Sequence, residues 1–498
     1  MSSSSSCRRL SMLQQHLFPS SSSLGTVGNF NHHDQSTCSF SEHHGLEESM
    51  IGFNETSASV NSSTTKRKAV IVCGARTPFV KAFGDLMEVD SIGLGVSAVE
   101  GLLKKSKLDP NLIDEIIWGN VVLNTKAPNV AREIVIDLNL PKKITGVTVS
   151  RACLSGLEAI LQGIRLIEHG QAEVVVAGGS DSMSNGEMAL PRNLTLALGK
   201  YNYGKDKGTM KGLIQLFKDA GSPLSWIPTP PAIAERSTGK TMGYHADMMA
   251  DLNKVTRNTQ DEFAAQSHKN AAKARREGKL DEEIVPVRLK NGKVISRDNL
   301  IREDSDASKM SKLKPVFRKT GTVTAASSSP LTDGASCVLV MSEEKARELG
   351  YPVDIRISSY ATTAVDPYPQ LLLAPVLAFP KVLDGAGITL DQVDLFEIHE
   401  AFAAQVLSTT ACLASDEFCQ KRLGRSKAIG VIPPEKLNIN GSSIAIGHPF
   451  SATGGRLVTS AMNELRRTGK KYAILSVCAA GGLGGVALVE RVSDNNKQ

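Results

Sequence analysis

Apolar and polar positions divide the chain into two textures. Residues 1–65 are rich in Ser, Asn and His and show no apolar period, whereas from Lys66 short apolar runs alternate with amphipathic stretches. AVIVCGARTPF ends in a Gly/Pro turn, the mark of a buried strand entering a folded body. IDEIIWGNVV (113–122) and AEVVVAGG (172–179) are further strands of this kind, and helical spacing fills the intervals. The pattern predicts α/β layers. The later part of the chain repeats the earlier in outline: LDPNLIDEIIWG (108–119) resembles LDQVDLFEIH (390–399). Ser155-Gly156 opens a helix that closes at Gly170 and feeds AEVVVAGG, while Thr453-Gly454 opens one that closes at Gly469 and feeds YAILSVCAAGG. Two similar α/β halves are therefore expected, the first over 66–183 and completed by 332–352, the second over 353–498. Between them, 184–331 carries a Pro cluster, IPTPPAIAE (227–235), and charged helical stretches such as QDEFAAQSHKNAAKARREG (260–278). It is expected to be an inserted loop domain over the active site.

With 498 residues, 41% of them hydrophobic, the chain can bury substantial cores. Its formal charge of +6 is spread among interspersed acids and bases, which argues against nucleic acid as a partner and stays compatible with acidic, phosphorylated ligands. The eight cysteines are scattered without a CxxC pair, as in a reducing compartment with free thiols. No stretch of about 18 apolar residues predicts a spanning helix, and peripheral membrane contact stays open. Residues 1–65 are expected to be a disordered targeting leader. Arg9-Leu10, five intervening residues and His16-Leu17 resemble the type-2 peroxisomal signal. The alternative is a mitochondrial presequence, because the first acid is Asp34.

Four glycine-punctuated segments carry candidate chemistry: RACLSGLEAI (151–160), EIHEAFAAQ (397–405), SIAIGHPFSATGG (443–455) and SVCAAGGLGG (476–485). Cys153 falls at a strand-to-helix junction, where a helix N-terminus is expected to favour thiolate and a developing oxyanion. His448, in Gly447-His448-Pro449, has the pKa class of a general base toward a thiol. Cys478 opens a glycine-rich turn whose N–H groups are placed to face an anion. His399-Glu400 follows the apolar strand VDLFEI, at the strand end where α/β proteins place ligands, with Glu400 equally suited to a structural carboxylate. A thiol nucleophile needs one base and a carbon acid a second, so two Cys and two His form a complete set. Zinc held by Cys153, His399, His448 and Cys478 is disfavoured, because structural zinc draws its ligands from close sequence pairs that are missing here.

In the order CLSG, HEAF, GHP and CAAGG, the four segments resemble the thiolase family from about Lys66 to Arg491. GTVTAASSSPLTDGAS (321–336) resembles the family's coenzyme A segment, and RTPF (76–79) an N-terminal structural motif. HEAF in place of NEAF, TMGYHAD (241–247), QLLLAP (370–375) and the stretch around 205–235 resemble the branch of the mitochondrial trifunctional-protein β-subunit. The resemblance implies a five-layered α-β-α-β-α thiolase fold with a loop domain, and a homodimer or dimer of dimers. It implies acyl-CoA and CoA as substrates, no metal and no resident cofactor, and an α-type hydratase/dehydrogenase as a further partner. Cys153 would be the acyl-accepting nucleophile, His448 the base that activates it, Cys478 the general acid/base at carbon and His399 the oxyanion support. Backbone N–H groups at Cys153 and near Ala480 would form a second oxyanion site, and Ser329 would lie near the coenzyme A pantetheine. Two positions depart from the family pattern: Ser327 stands where Asn is common, and Ser442 where a second Gly is usual. Were Ser442 to need a positive φ, it would strain its loop. The implied reaction is cleavage of a 3-ketoacyl-CoA by CoA in fatty-acid β-oxidation, with medium to long chains because 210–231 offers Leu213, Ile214, Leu216, Phe217 and Trp226 to an acyl tail. Acetoacetyl-CoA synthesis is the alternative enzyme, and an inactive acyl-CoA-binding or scaffold protein the alternative class.

Overall fold

The computed structural model describes residues 67–231 and 233–493. The leader expected over 1–65, with its targeting motif, lies outside the described residues. The first sheet contains β1 (Ala69–Arg76), β2 (Val80–Lys81), β3 (Glu115–Gly119), β4 (Thr145–Val149), β5 (Val174–Ser182) and β6 (Thr332–Ser342). Its order is β1-β6-β5-β3-β4, with β2 paired to β6. The second sheet contains β7 (Ile355–Ala364), β8 (Leu395–Ile398), β9 (Tyr472–Ala479) and β10 (Leu483–Arg491), in the order β8-β9-β10-β7.

The helices that matter for the site are α1 (Ser91–Ser106), α2 (Val130–Asp137), α3 (Ser155–Glu168), α4 (Arg192–Tyr203), α5 (Met210–Ala220), α6 (Met242–Leu252), α7 (Arg257–Arg276), α8 (Ala374–Ala386), α9 (Ala403–Leu413) and α10 (Ala452–Thr468). Strand alternation explains how they layer. On β5, Val174 and Val176 face a core shared with Leu94 and Leu102 of α1 and Ile134 of α2, while Val175 and Ala177 face Leu157 and Ile164 of α3. On β9, Leu475 and Val477 join that second core with Leu457 and Leu465 of α10, while Ile474 turns to Phe379 of α8 and Val406 of α9. Both sheets are thus covered on two faces, which is why their strands are near-continuous apolar runs. The layers run α1/α2, first sheet, α3/α10, second sheet, α8/α9: five in all, with α3 and α10 enclosed between the sheets.

The internal repeat extends to single hydrogen bonds. Asp114 Oδ2 accepts the N–H groups of Glu173 (2.7 Å) and Val174 (3.0 Å); Asp394 Oδ2 accepts those of Lys471 (2.9 Å) and Tyr472 (3.0 Å). Each aspartate follows a short 3-10 turn and ties the start of one strand to its neighbour.

Segments between β5 and β6 dock back on this body through buried polar contacts. Arg76, fully buried in RTPF, donates to Glu283 (2.7 Å) and through both terminal nitrogens to Asp298 (2.7 and 2.9 Å). The cluster fixes where these segments meet the body, and losing Arg76 would leave two buried carboxylates without their cation. α4 and α5 instead carry exposed apolar side chains, among them Ile214 (50% exposed) and Phe217 (53%), the latter stacked on Trp226. Among the described residues no helix is long and apolar enough to cross a membrane.

Candidate active site

Two helix starts cross between the sheets. A Cβ on Gly156 would lie 1.9 Å from the Ser451 carbonyl oxygen, and one on Gly454 would lie 2.2 Å from the Leu157 amide nitrogen. Only glycine tolerates that approach. It brings together the residues ahead of each helix, Cys153 before α3 and His448 before α10.

Cys153 sits in the turn from β4 to α3, aimed by Ala152, whose φ of +47° lies in the left-handed region that non-glycine residues seldom occupy. The backbone N–H groups of Ala480 and of Cys153 itself reach its sulfur. His448 donates its backbone N–H to Thr332 Oγ1 (2.8 Å), and its Nδ1 lies 2.6 Å from Thr453 Oγ1. His399 leaves the end of β8 with its N–H on the Ser476 carbonyl (2.8 Å) and its Nδ1 2.8 Å from Ser443 Oγ. The two imidazole centroids are 4.0 Å apart, and both Nε2 atoms are buried without a hydrogen-bond partner. One ligand atom from each of Cys153, His399 and His448 lies within 4.8 Å of the others. Cys478 is buried within β9, near enough that charge on Cys153 raises its pKa beyond the effect of burial.

Burial changes the protonation expected from sequence. A helix N-terminus was reason to expect thiolate at Cys153, but burial, with Asp181 adding to it, pushes this thiol up to about 12 against the lowering by the two N–H groups. His448, expected near the ordinary imidazole pKa, is pushed down to about 3 by burial and then by the Arg456 charge; His399 is lowered by burial, His448 and Arg456. The resting site therefore holds a neutral thiol between two neutral imidazoles. Proton transfer from Cys153 has to accompany bond formation rather than precede it.

Arg456, fully buried on α10, sets the polarity of His399. Its Nη2 donates to Ser442 Oγ (2.8 Å) and Ser443 Oγ (3.4 Å). A guanidinium only donates, so Ser443 accepts there and directs its own hydrogen to His399 Nδ1. Nε2 of His399 then carries the ring hydrogen and faces the site as a donor. Thr453 has no such charged neighbour on its hydroxyl, leaving His448 free to present Nε2 as a base. Ser442 itself sits at φ −141°, the positive φ of this loop falling on Gly441 (+72°), so the departure from glycine causes no backbone strain. Its hydroxyl instead anchors Arg456.

Glu400 is a structural carboxylate: it accepts from Ser267 Oγ (2.7 Å), Asn438 Nδ2 (2.7 Å) and the Ile444 N–H (3.1 Å). The glycine-rich turn after Cys478 is only partly free to meet an anion, since the Gly481 N–H is taken by Glu235 Oε2 (2.8 Å). Glu235, Asp181 and Arg456 were not singled out from sequence. Asp181 accepts the N–H groups of Val121 (2.9 Å), Val122 (2.7 Å) and Ser451 (2.8 Å), so it locks the turn beside Cys153 to the start of α10. The signal was legible in outline: a carboxylate ending the buried run AEVVVAGGSD needs several donors.

Of two cavities in this part of the molecule, the first is lined by a residue of this centre and the second by the segment around Ser329. One of about 360 Å³ holds Cys153 and is walled by Val121, Leu123, Met183, Ile233, Met242 and Phe450. Of the segment 210–231, expected to guide an acyl tail, only Pro231 lines it; Leu213, Ile214 and Phe217 face solvent. The other, about 480 Å³, is lined by Ser328, Pro330, Arg302 and Lys309, either side of Ser329, whose N–H is held by the Ala401 carbonyl (2.9 Å). Ser327 is fully buried, closing a turn with Thr324 and accepting at its carbonyl from the Ala403 N–H (2.9 Å).

A five-layered α/β body with a thiol and two imidazoles at the crossing of its central helices defines an acyl-transfer enzyme. Residues 69–344 match the thiolase N-terminal domain and 351–491 the thiolase C-terminal domain, and the chain belongs to the thiolase family. It is 42% identical over 429 residues to a 3-ketoacyl-CoA thiolase of Serratia proteamaculans, covering 85% of this chain and 97% of that protein. A 3-ketoacyl-CoA thiolase of Pseudoalteromonas atlantica is 42% identical over the same shares of the two chains. Among solved structures, the Bacillus anthracis acetyl-CoA acetyltransferase superposes with a TM-score of 0.74 at 32% identity, covering 86% of this chain and 100% of that one. Human mitochondrial 3-ketoacyl-CoA thiolase in complex with CoA gives 0.71 at 29% identity, covering 86% and 98%.

Proposed function

We propose that this enzyme cleaves medium- to long-chain 3-ketoacyl-CoA with CoA, giving acetyl-CoA and a shortened acyl-CoA in fatty-acid β-oxidation. The carrying observation is the convergence of Cys153, His399 and His448 within 4.8 Å, beside an apolar cavity of about 360 Å³. In this mechanism His448 Nε2 takes the Cys153 proton as sulfur attacks the 3-keto carbon. The C2–C3 bond breaks, its electron pair stays on C2, and the Cys478 thiol protonates that carbon, releasing acetyl-CoA. The incoming CoA thiol then gives its proton to the Cys478 thiolate and attacks the acyl-cysteine; Cys153 leaves and recovers its proton from His448. The N–H groups of Cys153 and Ala480 face the oxygen of the attacked carbonyl, and the Nε2–H of His399 the thioester oxygen that becomes enolate-like. Splitting one hard step through a covalent intermediate is the gain of this nucleophilic route. The cavity bounded by Ser328, Pro330, Arg302 and Lys309 is the place for the CoA arm, with Ser329 at its pantetheine end.

The decisive experiment follows Cys153→Ala with 3-ketoacyl-CoA and CoA and looks for an acyl adduct on wild-type Cys153 by mass spectrometry. Retained turnover in the variant, or an adduct on another residue, would overturn the mechanism. A chain-length series separates this reading from acetoacetyl-CoA synthesis, which needs little of the apolar cavity; absence of any adduct favours the scaffold alternative.

The outer assembly belongs to the same proposal. A homodimer is supported by β4, an edge strand whose outer side has no partner among the described residues, and light scattering tests it. Membrane or α-type partner contact, as in the trifunctional branch, is supported by the exposed apolar face of α4 and α5. Deleting 210–228 tests it by liposome binding. Peroxisomal delivery, with mitochondria as the alternative, is tested by fusing residues 1–65 to a reporter.

A further inference from the structure

Structural zinc sites draw their ligands from close sequence pairs, whereas a site of the open kind takes three ligands from separate elements and leaves the fourth position to water. Here β8, the loop before α10 and the turn before α3 each supply one donor, and the three donor atoms lie within 4.8 Å of one another. Both Nε2 atoms are buried and unpartnered. Both Nδ1 atoms face hydroxyls, Ser443 at 2.8 Å and Thr453 at 2.6 Å; for His399 to ligate through Nε2 its ring hydrogen moves to Nδ1 and Ser443 Oγ turns to accept it, which gives each ring the outer-shell acceptor that metal-binding imidazoles need.

We propose that Cys153, His399 and His448 form a reversible, inhibitory site for a borderline divalent cation such as Zn2+, open only while Cys153 carries no acyl group. Binding forms one metal–sulfur and two metal–nitrogen bonds; the Cys153 proton leaves to solvent, and water fills the fourth position. Tetrahedral zinc, with bonds of about 2.3 Å to sulfur and 2.0–2.1 Å to nitrogen, sets its ligands roughly 3.4–3.6 Å apart, so donors at the 4.8 Å limit would close in by about 1.2–1.4 Å. The sulfur keeps its N–H contact from Ala480. Both imidazoles bind in the neutral form, His399 after its ring hydrogen has moved from Nε2 to Nδ1, so the Cys153 thiol is the one ligand that loses a proton. Arg456 opposes the incoming charge and Asp181 partly offsets it, so affinity falls below that of a dedicated zinc site, which has carboxylate support. His399 is decisive: with Asn in the same place only two strong donors remain.

The effect on turnover rests on the acyl-transfer reading, whereas the binding does not, so binding is measured first on the resting full-length protein without CoA compounds. Titration with Co2+ is expected to give one equivalent of tetrahedral visible bands with a sulfur-to-cobalt charge-transfer band, displaced by Zn2+. Cys153→Ser keeps a side chain of similar size and is expected to lose the charge-transfer band; His399→Asn is expected to weaken binding by more than the about 10–100-fold that follows loss of an outer-shell partner. Circular dichroism confirms that each variant is folded. No charge-transfer band in the wild type, or the same band in Cys153→Ser, overturns the proposal, the latter assigning the metal to another cysteine. Zn2+ at about ten times its Kd should then lower thiolysis about tenfold and EDTA should restore it; tight binding without inhibition would place the failure in the acyl-transfer reading instead.

Discussion

Asp114 and Asp394 make the same pair of hydrogen bonds to the strand beside them, and that shared anchor sets the two halves in register. Gly119 then stands opposite His399 and Ser180 opposite Cys478, while the paired helix starts set Cys153 opposite Ser451. In the first half Ser180 is closed off, donating to the Ser91 carbonyl (2.6 Å) and accepting from Trp118 Nε1 (2.8 Å). Its counterpart Cys478 lies close enough to Cys153 that charge on one thiol raises the pKa of the other. Ser451 is held by Asp181, whereas its counterpart Cys153 meets two unpartnered ring nitrogens. A duplicated scaffold gives matched places, and the chemistry arises where one copy satisfies its polar groups internally and the other leaves them facing a cavity.

The sharpest test exchanges matched positions. Cys478→Ala is expected to lower C–C cleavage by about 100- to 10,000-fold, the usual range for a lost proton donor, while leaving acyl exchange onto Cys153 measurable. Ser180→Ala, which orphans the Trp118 N–H, is expected to cost about 1–3 kcal/mol of stability in denaturant titration with chemistry nearly intact. Equal losses of turnover in the two variants would break the division of labour between the halves. Next in size, His399→Ala should lower kcat about 100- to 1,000-fold with little change in KM, as for a donor that acts on developing charge; a loss confined to KM would make His399 a binding residue only.

The pH response gives a third comparison. His448, near 6.5 when unfolded, is pushed down to about 3 in the fold, so the unfolded chain binds the extra proton first. Its contribution to stability is complete above about pH 6.5 and is lost as pH falls from there toward about 3. Denaturation midpoints followed from pH 7 to 4.5 should therefore slope downward, and His448→Asn should flatten the slope. The smallest effect concerns the serine that replaces a glycine: Ser442→Gly removes one anchor of Arg456 and should slow turnover several-fold, equivalent to about 1 kcal/mol. No change at all would show that Ser443 alone holds the arginine.

Much of this was legible along the chain. Apolar runs ending at Gly119, Ile398 and Ala479 announced buried strands because strands covered on both faces cannot alternate apolar with polar. Gly170 and Gly469 marked helix ends because each adopts a positive φ, +69° and +71°. The motifs supplied Cys153, His399, His448 and Cys478, since nucleophile, base and acid are restricted to a few side-chain types. Illegible were contacts between residues far apart in the chain: Arg456 reaching Ser443, Glu235 reaching Gly481, and Asp181 reaching both Val122 and Ser451. The exposed face of α5 was equally hidden, since an amphipathic helix looks the same in sequence whether its apolar side meets core or solvent.

By itself, then, the sequence determined the layers and the duplication and singled out four candidate side chains, because periodicity, glycine placement and side-chain chemistry act over short stretches. Only the tertiary structure decided how those side chains are protonated, which nitrogen of His399 carries hydrogen, and that three donors close to within 4.8 Å. These depend on burial and on charges brought together from distant parts of the chain, and neither exists until the two helix starts cross.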